Sequence, residues 1–298
     1  MRWVFVLLIQ LFSPIIVFSA SERIDSLRSV CSELVREHKF NEALIYGRAM
    51  IQLAECSDDE AARLTAFAYA AQSYLAADIY DTAYVYLGKG YDVWAEMKKD
   101  GLPESFYDDP YSVFTLYNSF AIYAANSTMN YQKVTEYLTE GLSLAKRYFP
   151  GDGYAVMGSN LVLSYFLRED PDGLKYALEI YEDGLKNRNN RLVYAGGFGT
   201  ALMYCLLEDY SNAEYYIKQS LDSGYDKADE TWVNAIYGNI LYRTGRNEQA
   251  EICFRKALGY ASMESAATTV FFYLSYGDFL SARKSTGNRW RYIRKGFV

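Results

Sequence analysis

The feature that most constrains this chain is a small residue followed twelve positions later by a second small residue, with a large apolar residue four after that. Gly238 and Ala250 show it most fully, with Leu241 three after the first, Gly245 seven after it, then Phe254, Ala257 and Leu258. Ala201 and Ala213 repeat it, with Tyr204, Ile217, Ser220 and Leu221. So do Ala71 and Ala83, with Tyr74, Leu87 and Gly90, while Cys31 and Ala43 keep the twelve-residue spacing, with Leu34, Phe40, Gly47 and Met50. Two copies are stretched in the turn: Ala121 with Val134, Leu138, Gly141 and Leu142, and roughly Ser164 with Ala177, Tyr181, Gly184 and Leu185. The physical content is direct. Small residues on two antiparallel helices let them approach where they cross, and large residues at i+3 and i+4 fill the space around the crossing. A glycine such as Gly245 ends the first helix in a left-handed cap, so the turn stays short.

These residues resemble the tetratricopeptide family, whose repeats carry small, large, turn, small, large and small positions in this order. The second-helix small positions fall at 43, 83, 134, 177, 213 and 250, so the steps are 40, 51, 43, 36 and 37 residues. The family step is about 34, so the array is irregular. Its longest step holds the turn-rich stretch Lys98 to Ser105 and Asp108-Asp109-Pro110. The resemblance covers residues 24–282. It implies an all-α fold, a right-handed superhelical array of antiparallel helix pairs (a TPR-like α-solenoid), with about six pairs and a capping helix over 266–283. Only five prolines and 51% apolar residues fit long helices around a core.

Both ends differ in composition from this array. Met1 and Arg2 precede the apolar stretch Trp3 to Phe18, then small Ser19 and Ala20, and polar Ser21-Glu22-Arg23. That is the layout of a secretory signal peptide, with cleavage expected after Ser19, give or take one residue. Its apolar core is short for a membrane span, and an uncleaved anchor is the competing reading. No later apolar run is long enough to span a bilayer, so no membrane span is expected after removal of the signal. The product is expected outside the cytoplasm, periplasmic or secreted. Residues 283–298 form a basic tail with Arg283, Lys284, Arg289, Arg291, Arg294 and Lys295, read as a solvated terminus or as a docking or juxtamembrane segment. Export permits disulfides, yet Cys31, Cys56, Cys205 and Cys253 include no CxxC. Buried free thiols are expected, with a Cys31–Cys56 bridge as the alternative.

Chemistry is sparse. One histidine, His38, sits in a turn, and four dispersed cysteines give no zinc spacing, so neither catalytic triad nor metal site is expected. No cofactor is expected either. Gly196-Gly197-Phe198-Gly199 lacks the lysine and preceding strand of a phosphate loop and is read as helix packing. Asp58-Asp59-Glu60 is read as a helix start. Asn126-Ser127-Thr128 matches the glycosylation acceptor pattern. A net charge of −7 argues against nucleic acid as a partner.

The chain therefore reads as a non-enzymatic binding protein. In the family it resembles, the first helix of each pair lines the concave face. That resemblance implies a protein or peptide partner contacting Asn118, Asn126, Tyr165, Arg168, Asn239, Tyr242 and Arg243. The family's two-carboxylate clamp is not expected, because Arg28 and Ser32 stand where Lys and Asn would be needed. Exported arrays of this kind also resemble the periplasmic input portions of bacterial membrane-bound regulators, which makes a sensor module the alternative to a free-standing scaffold.

Overall fold

The computed structural model describes residues 19–108, 110–148, 151–224, 230–260 and 276–281. The described residues are helical throughout, without strands. The helices are α1 (Ala20–Arg36), α2 (Phe40–Ala54), α3 (Glu60–Ala76), α4 (Tyr80–Asp100), α5 (Glu104–Asp108), α6 (Tyr111–Asn126), α7 (Tyr131–Tyr148), α8 (Asp152–Leu167), α9 (Gly173–Asn187), α10 (Asn190–Leu206), α11 (Tyr210–Asp222), α12 (Glu230–Arg243) and α13 (Asn247–Tyr260). A further helical segment covers 276–281. The expected signal peptide, apart from Ser19, and the basic tail lie outside the described residues, as do most positions of the expected capping helix. The part of that helix that is described packs as expected: Tyr276, Phe279 and Leu280 join a core with Phe254 and Ala257.

Five of the repeat frames fall on packed pairs, α1/α2, α3/α4, α8/α9, α10/α11 and α12/α13, and the third falls on α6 and α7, which belong to different compact units and do not form such a pair. Cys31, Ala43, Ala71, Ala83, Ala121, Val134, Ala177, Ala201, Ala213 and Ala250 are all buried. The Cys31 thiol lies 3.6 Å from the Ala43 carbonyl, at the crossing of α1 and α2. A Cβ on Gly238 would come within 3.1 Å of the Phe254 ring. The small residues therefore do what their spacing requires.

The turns are equally regular. After the first helices, Lys39, Ile79, Asp170, Asp209 and Arg246 donate backbone N–H bonds to the carbonyls of Leu34, Tyr74, Tyr165, Tyr204 and Leu241. The residues just before these donors, His38, Asp78, Glu169, Glu208 and Gly245, all have positive φ. This is the Schellman cap, which satisfies carbonyls that the helix end leaves open. Helix starts add side-chain caps where the sequence supplies them. Asp59 accepts from the Ala62 N–H and Asp209 from the Asn212 N–H. Ser19 and Glu22 form a reciprocal capping box at the start of α1.

This cap pattern corrects the frame of the fourth repeat. Tyr165 occupies the place of Leu34, Tyr74, Tyr204 and Leu241, so the residue three before it, Val162, stands at the small position instead of Ser164. Tyr165 and Ala177 are twelve apart where Leu34 and Ala43 are nine apart, so the turn holding Pro171 carries the extra length. Close packing there comes from the neighbour: a Cβ on Gly199 would lie 3.2 Å from Val162 Cγ1 and 3.4 Å from Ala177 Cβ.

A second difference lies in the insertion after the second repeat. Its first residues, Lys98 to Asp100, continue α4, and Glu104–Asp108 forms a one-turn helix. Phe106 drives this, being fully buried and stacked on Trp94 at 5.5 Å between ring centroids. An aromatic anchor of this size outweighs the turn-forming neighbours.

The chain forms two compact units, residues 1–128 and 129–298, divided in the turn between α6 and α7. In the first, α3 touches α1, α2, α4 and α6; in the second, α10 touches α8, α9, α11 and α12. Enclosure shows in burial. Twelve of the seventeen residues of α3 are buried, against six of the twenty-one in α4. First helices are thus the inner layer of each unit and second helices the outer one.

Candidate functional site

A helix buried on three sides leaves one stripe for a ligand. In the first unit that stripe carries Arg28, Tyr69, Gln72, Phe114 and Asn118, all half-buried. The Arg28 guanidinium lies 5.6 Å over the Tyr69 ring. Asn126, at the end of α6, is exposed and stands beside the Tyr80 hydroxyl, which itself donates to Asp78 Oδ1 at 2.7 Å.

In the second unit the stripe is more apolar. Leu163 and Phe166 of α8, Phe198 and Cys205 of α10, and Trp232 of α12 are half-buried and pack on one core formed by Tyr194, Ala201, Leu202, Ile217, Val233, Ile236 and Ile240. Phe198 meets Trp232 edge to face at 6.0 Å. Phe198 and Cys205 are seven apart, as are Trp232 and Asn239, so each pair shares a helix face. Arg243 lies one turn beyond Asn239 on that face and is close enough to act on the Cys205 thiol and the Tyr210 hydroxyl. Burial pushes the Cys205 thiol up to about 12 while Arg243 pulls it down, so at neutral pH it behaves as a small apolar group. The result is a shelf of apolar side chains from three successive first helices, with Asn239 and Arg243 at one end.

The sequence-derived candidates divide on this geometry. Asn239 is half-buried and Arg243 exposed, both on the shelf face. Tyr242 is turned into the core, edge to face with Phe279 at 5.5 Å. Tyr165 is 8% exposed and stacks on Tyr176 at 5.4 Å. Burial, and then the Tyr176 hydroxyl, push its own hydroxyl up to about 12. Arg168 sits in the turn after α8, where it donates to Thr135 Oγ1 at 2.8 Å and Asp170 Oδ2 at 3.0 Å. Tyr165 therefore works in the packing of α8 and α9, and Arg168, itself exposed, ties the turn to α7. The cause is the two-residue frame shift, which turns a helix position by roughly 200°. With the frame set on Val162, the stripe of α8 runs through Ser159, Leu163 and Phe166. Leu163, Phe166, Phe198 and Trp232 carry no charged group to single them out in the sequence; the apolar excess of these helices is the signal that marks them.

The glycine run is packing, as read. A Cβ on Gly196 would stand 2.3 Å from the Tyr181 backbone nitrogen of α9. One on Gly197 would stand 3.0 Å from the Tyr216 carbonyl of α11. Together with Gly199 against α8, α10 is thereby drawn close to three helices at once.

Among the cysteines, Cys31 and Cys253 are buried, and burial pushes the Cys31 thiol up to about 11. Cys56 is exposed in the turn after α2, unlike the buried state expected of it. His38 is exposed, edge to face with Phe40. No group of three or more metal-ligating side chains occurs among the described residues.

No family model matches the chain, and no curated protein sequence matches it. Solved structures do. The chain is similar to BtubC (BKLC) from P. vanneervenii, with a TM-score of 0.52 and 14% identity over 80% of this chain and 91% of that one. It is similar also to a Rap protein complexed with competence and sporulation factor, with a TM-score of 0.53 and 13% identity over 93% of this chain and 78% of that one. At this identity the likeness speaks for the fold, a TPR-like α-solenoid.

Proposed function

We propose that this protein is a non-catalytic scaffold that binds a protein or peptide partner on the first-helix face of its second unit. The observation that carries this reading is the shelf of Leu163, Phe166, Phe198, Cys205 and Trp232. Apolar groups left part-exposed by three adjacent helices and edged by polar ones mark an interaction surface. Aromatic residues of this kind dominate binding energy where they become fully covered. The similar Rap protein was crystallised holding a factor, which supports ligand binding as a use of this fold. Catalysis has little to work with on the shelf, whose polar groups are an amide, a guanidinium and a protonated thiol.

The place of action is proposed to be outside the cytoplasm, periplasmic or secreted, on the strength of residues 1–19. No helix of the described residues is long and apolar enough to cross a membrane. The alternative role, the input module of a membrane-bound regulator, rests on the basic run Arg289 to Lys295.

Two measurements test this. The doubly substituted Phe198→Ala, Trp232→Ala protein is expected to lose partners that the parent retains from an envelope extract, with its helical circular dichroism kept. Retention of the same partners would overturn the site. N-terminal sequencing of the exported product is expected to begin at Ala20, give or take one residue; a product retaining Met1 would overturn cleavage.

A further inference from the structure

The charges of the inner helices of the second unit are few enough to trace one by one. Along α8, α10 and α12 they are Asp152, Arg191, Glu230 and Arg243. Asp152 and Arg191 neutralise each other, with Arg191 Nη1 at 2.6 Å from Asp152 Oδ2. Arg243 is different. It is exposed, and its marked neighbour is the Tyr242 ring, 5.9 Å away. Among the described residues no carboxylate stands within 4.0 Å of it. Elsewhere in the unit Arg168, Arg246 and Arg255 are tied to Asp170, Glu214 and Glu251, while Arg147 on α7 and Arg188 after α9 belong to the outer helices, away from the shelf. A guanidinium without such a carboxylate, at the end of an apolar shelf, is a positively charged edge. Once a partner covers the shelf and displaces water, its attraction for a carboxylate is stronger than in open water.

We infer that the partner presents aliphatic or aromatic side chains to the shelf and, beside them, a carboxylate to Arg243. The partner is thus an acidic-apolar segment, and basic-apolar segments are rejected. This inference rests on the shelf reading above and names the chemistry of what the shelf accepts. Apolar side chains cover Leu163, Phe166, Phe198 and Trp232 and supply the affinity. The carboxylate sets direction and selects against cations, since like charges brought together at a binding surface cost more than a missing pair. Asn239, one turn before Arg243, offers an amide to the same segment.

The test uses the full chain and fluorescein-labelled twelve-residue peptides that share one Leu-, Phe- and Trp-containing core. They differ only in carrying Glu, Gln or Lys at the positions flanking it. Fluorescence anisotropy is expected to rank them Glu, Gln, Lys, with each step about fivefold, and to show the Glu preference shrinking as salt is raised. Arg243→Glu is expected to invert the ranking, so that the Lys peptide binds most tightly and the Glu peptide least. Phe198→Ala with Trp232→Ala is expected to weaken all three at least tenfold. Equal binding of the Glu and Lys peptides, or a ranking indifferent to Arg243→Glu, overturns the inference while leaving the shelf reading in place. Binding that survives the double apolar substitution overturns the shelf reading itself. If no peptide binds at any concentration, a partner of this chemistry is wrong, and the envelope capture decides the shelf separately.

Discussion

At the scale of single residues, glycine separates into two uses that the sequence does not distinguish. Gly196 is a point where backbone meets backbone, and a methyl group there cannot be accommodated by turning a side chain. Gly196→Ala is expected to destabilise the protein by about 2–4 kcal/mol, as overpacking against a rigid wall does, read as a lowered midpoint in urea. Gly88, in the middle of α4, has nothing within 4 Å of the place a methyl group would take. Gly88→Ala is therefore expected to be neutral or stabilising by up to about 1 kcal/mol. A similar result for both would show that α9 and α10 do not cross as closely as Gly196 implies. The caps give a related case. Glu208 holds φ of 60° where Gly245 holds the same place in the last repeat at 80°. Glu208→Gly is expected to stabilise by a few tenths of a kcal/mol to about 1 kcal/mol, because it relieves a left-handed side chain. A drop in melting temperature would argue against that.

At the scale of elements, the outer helices are tied together by charge more than the inner ones are. Glu214 on α11 accepts two bonds from Arg246, at 2.8 and 2.6 Å, and pairs with Lys218 at 2.8 Å. Arg246 lies in the turn between α12 and α13, so this set joins neighbouring repeats. The Arg246 guanidinium holds the Glu214 carboxyl down at about 2, from 4.5. A carboxyl lowered on folding contributes stability that is present in full above its unfolded value and lost as pH falls toward its folded one. The window is therefore pH 4.5 down to about 2. With a side chain 17% exposed and partly screened, the contribution is about 1–2 kcal/mol. Glu214→Gln is expected to lower the melting temperature at pH 7 and to flatten its fall across that window. An unchanged acid profile would remove Glu214 from the account. The fourth repeat shows how an element can defeat reading by pattern. Ser164 is small and buried, and it lies two residues from the position that packs. Composition cannot separate Ser164 from Val162; the Schellman bond from Asp170 to Tyr165 does.

At the scale of the whole molecule, each inner helix touches helices one to three places away in the chain. Stability in such an array is a sum of local repeats and their interfaces, so damage stays near its origin. Gly196→Ala is expected to reduce amide protection in α8 to α12 more than in α1 to α4, measured by hydrogen exchange with mass spectrometry. Equal loss in both units would show that they unfold as one. The sequence by itself determined five of the helix pairs, the placing of the crossings in four of them and most of their turns. Those depend on local spacing, and a helix of fixed pitch converts spacing into a face without reference to the rest of the fold. It also carried the packing role of the glycine run and the helix start at Asp59. Only the tertiary structure decided which polar residues were spent on packing, as Tyr165 and Tyr242 are, which were tied to a neighbouring helix, as Arg168 is, and which were left on the shelf face, as Asn239 and Arg243 are. It likewise decided that the surface on offer is the apolar shelf of Leu163, Phe166, Phe198 and Trp232. A partly exposed aromatic and a buried one look alike along a chain, and the difference is made by how far the neighbouring helix stands from each.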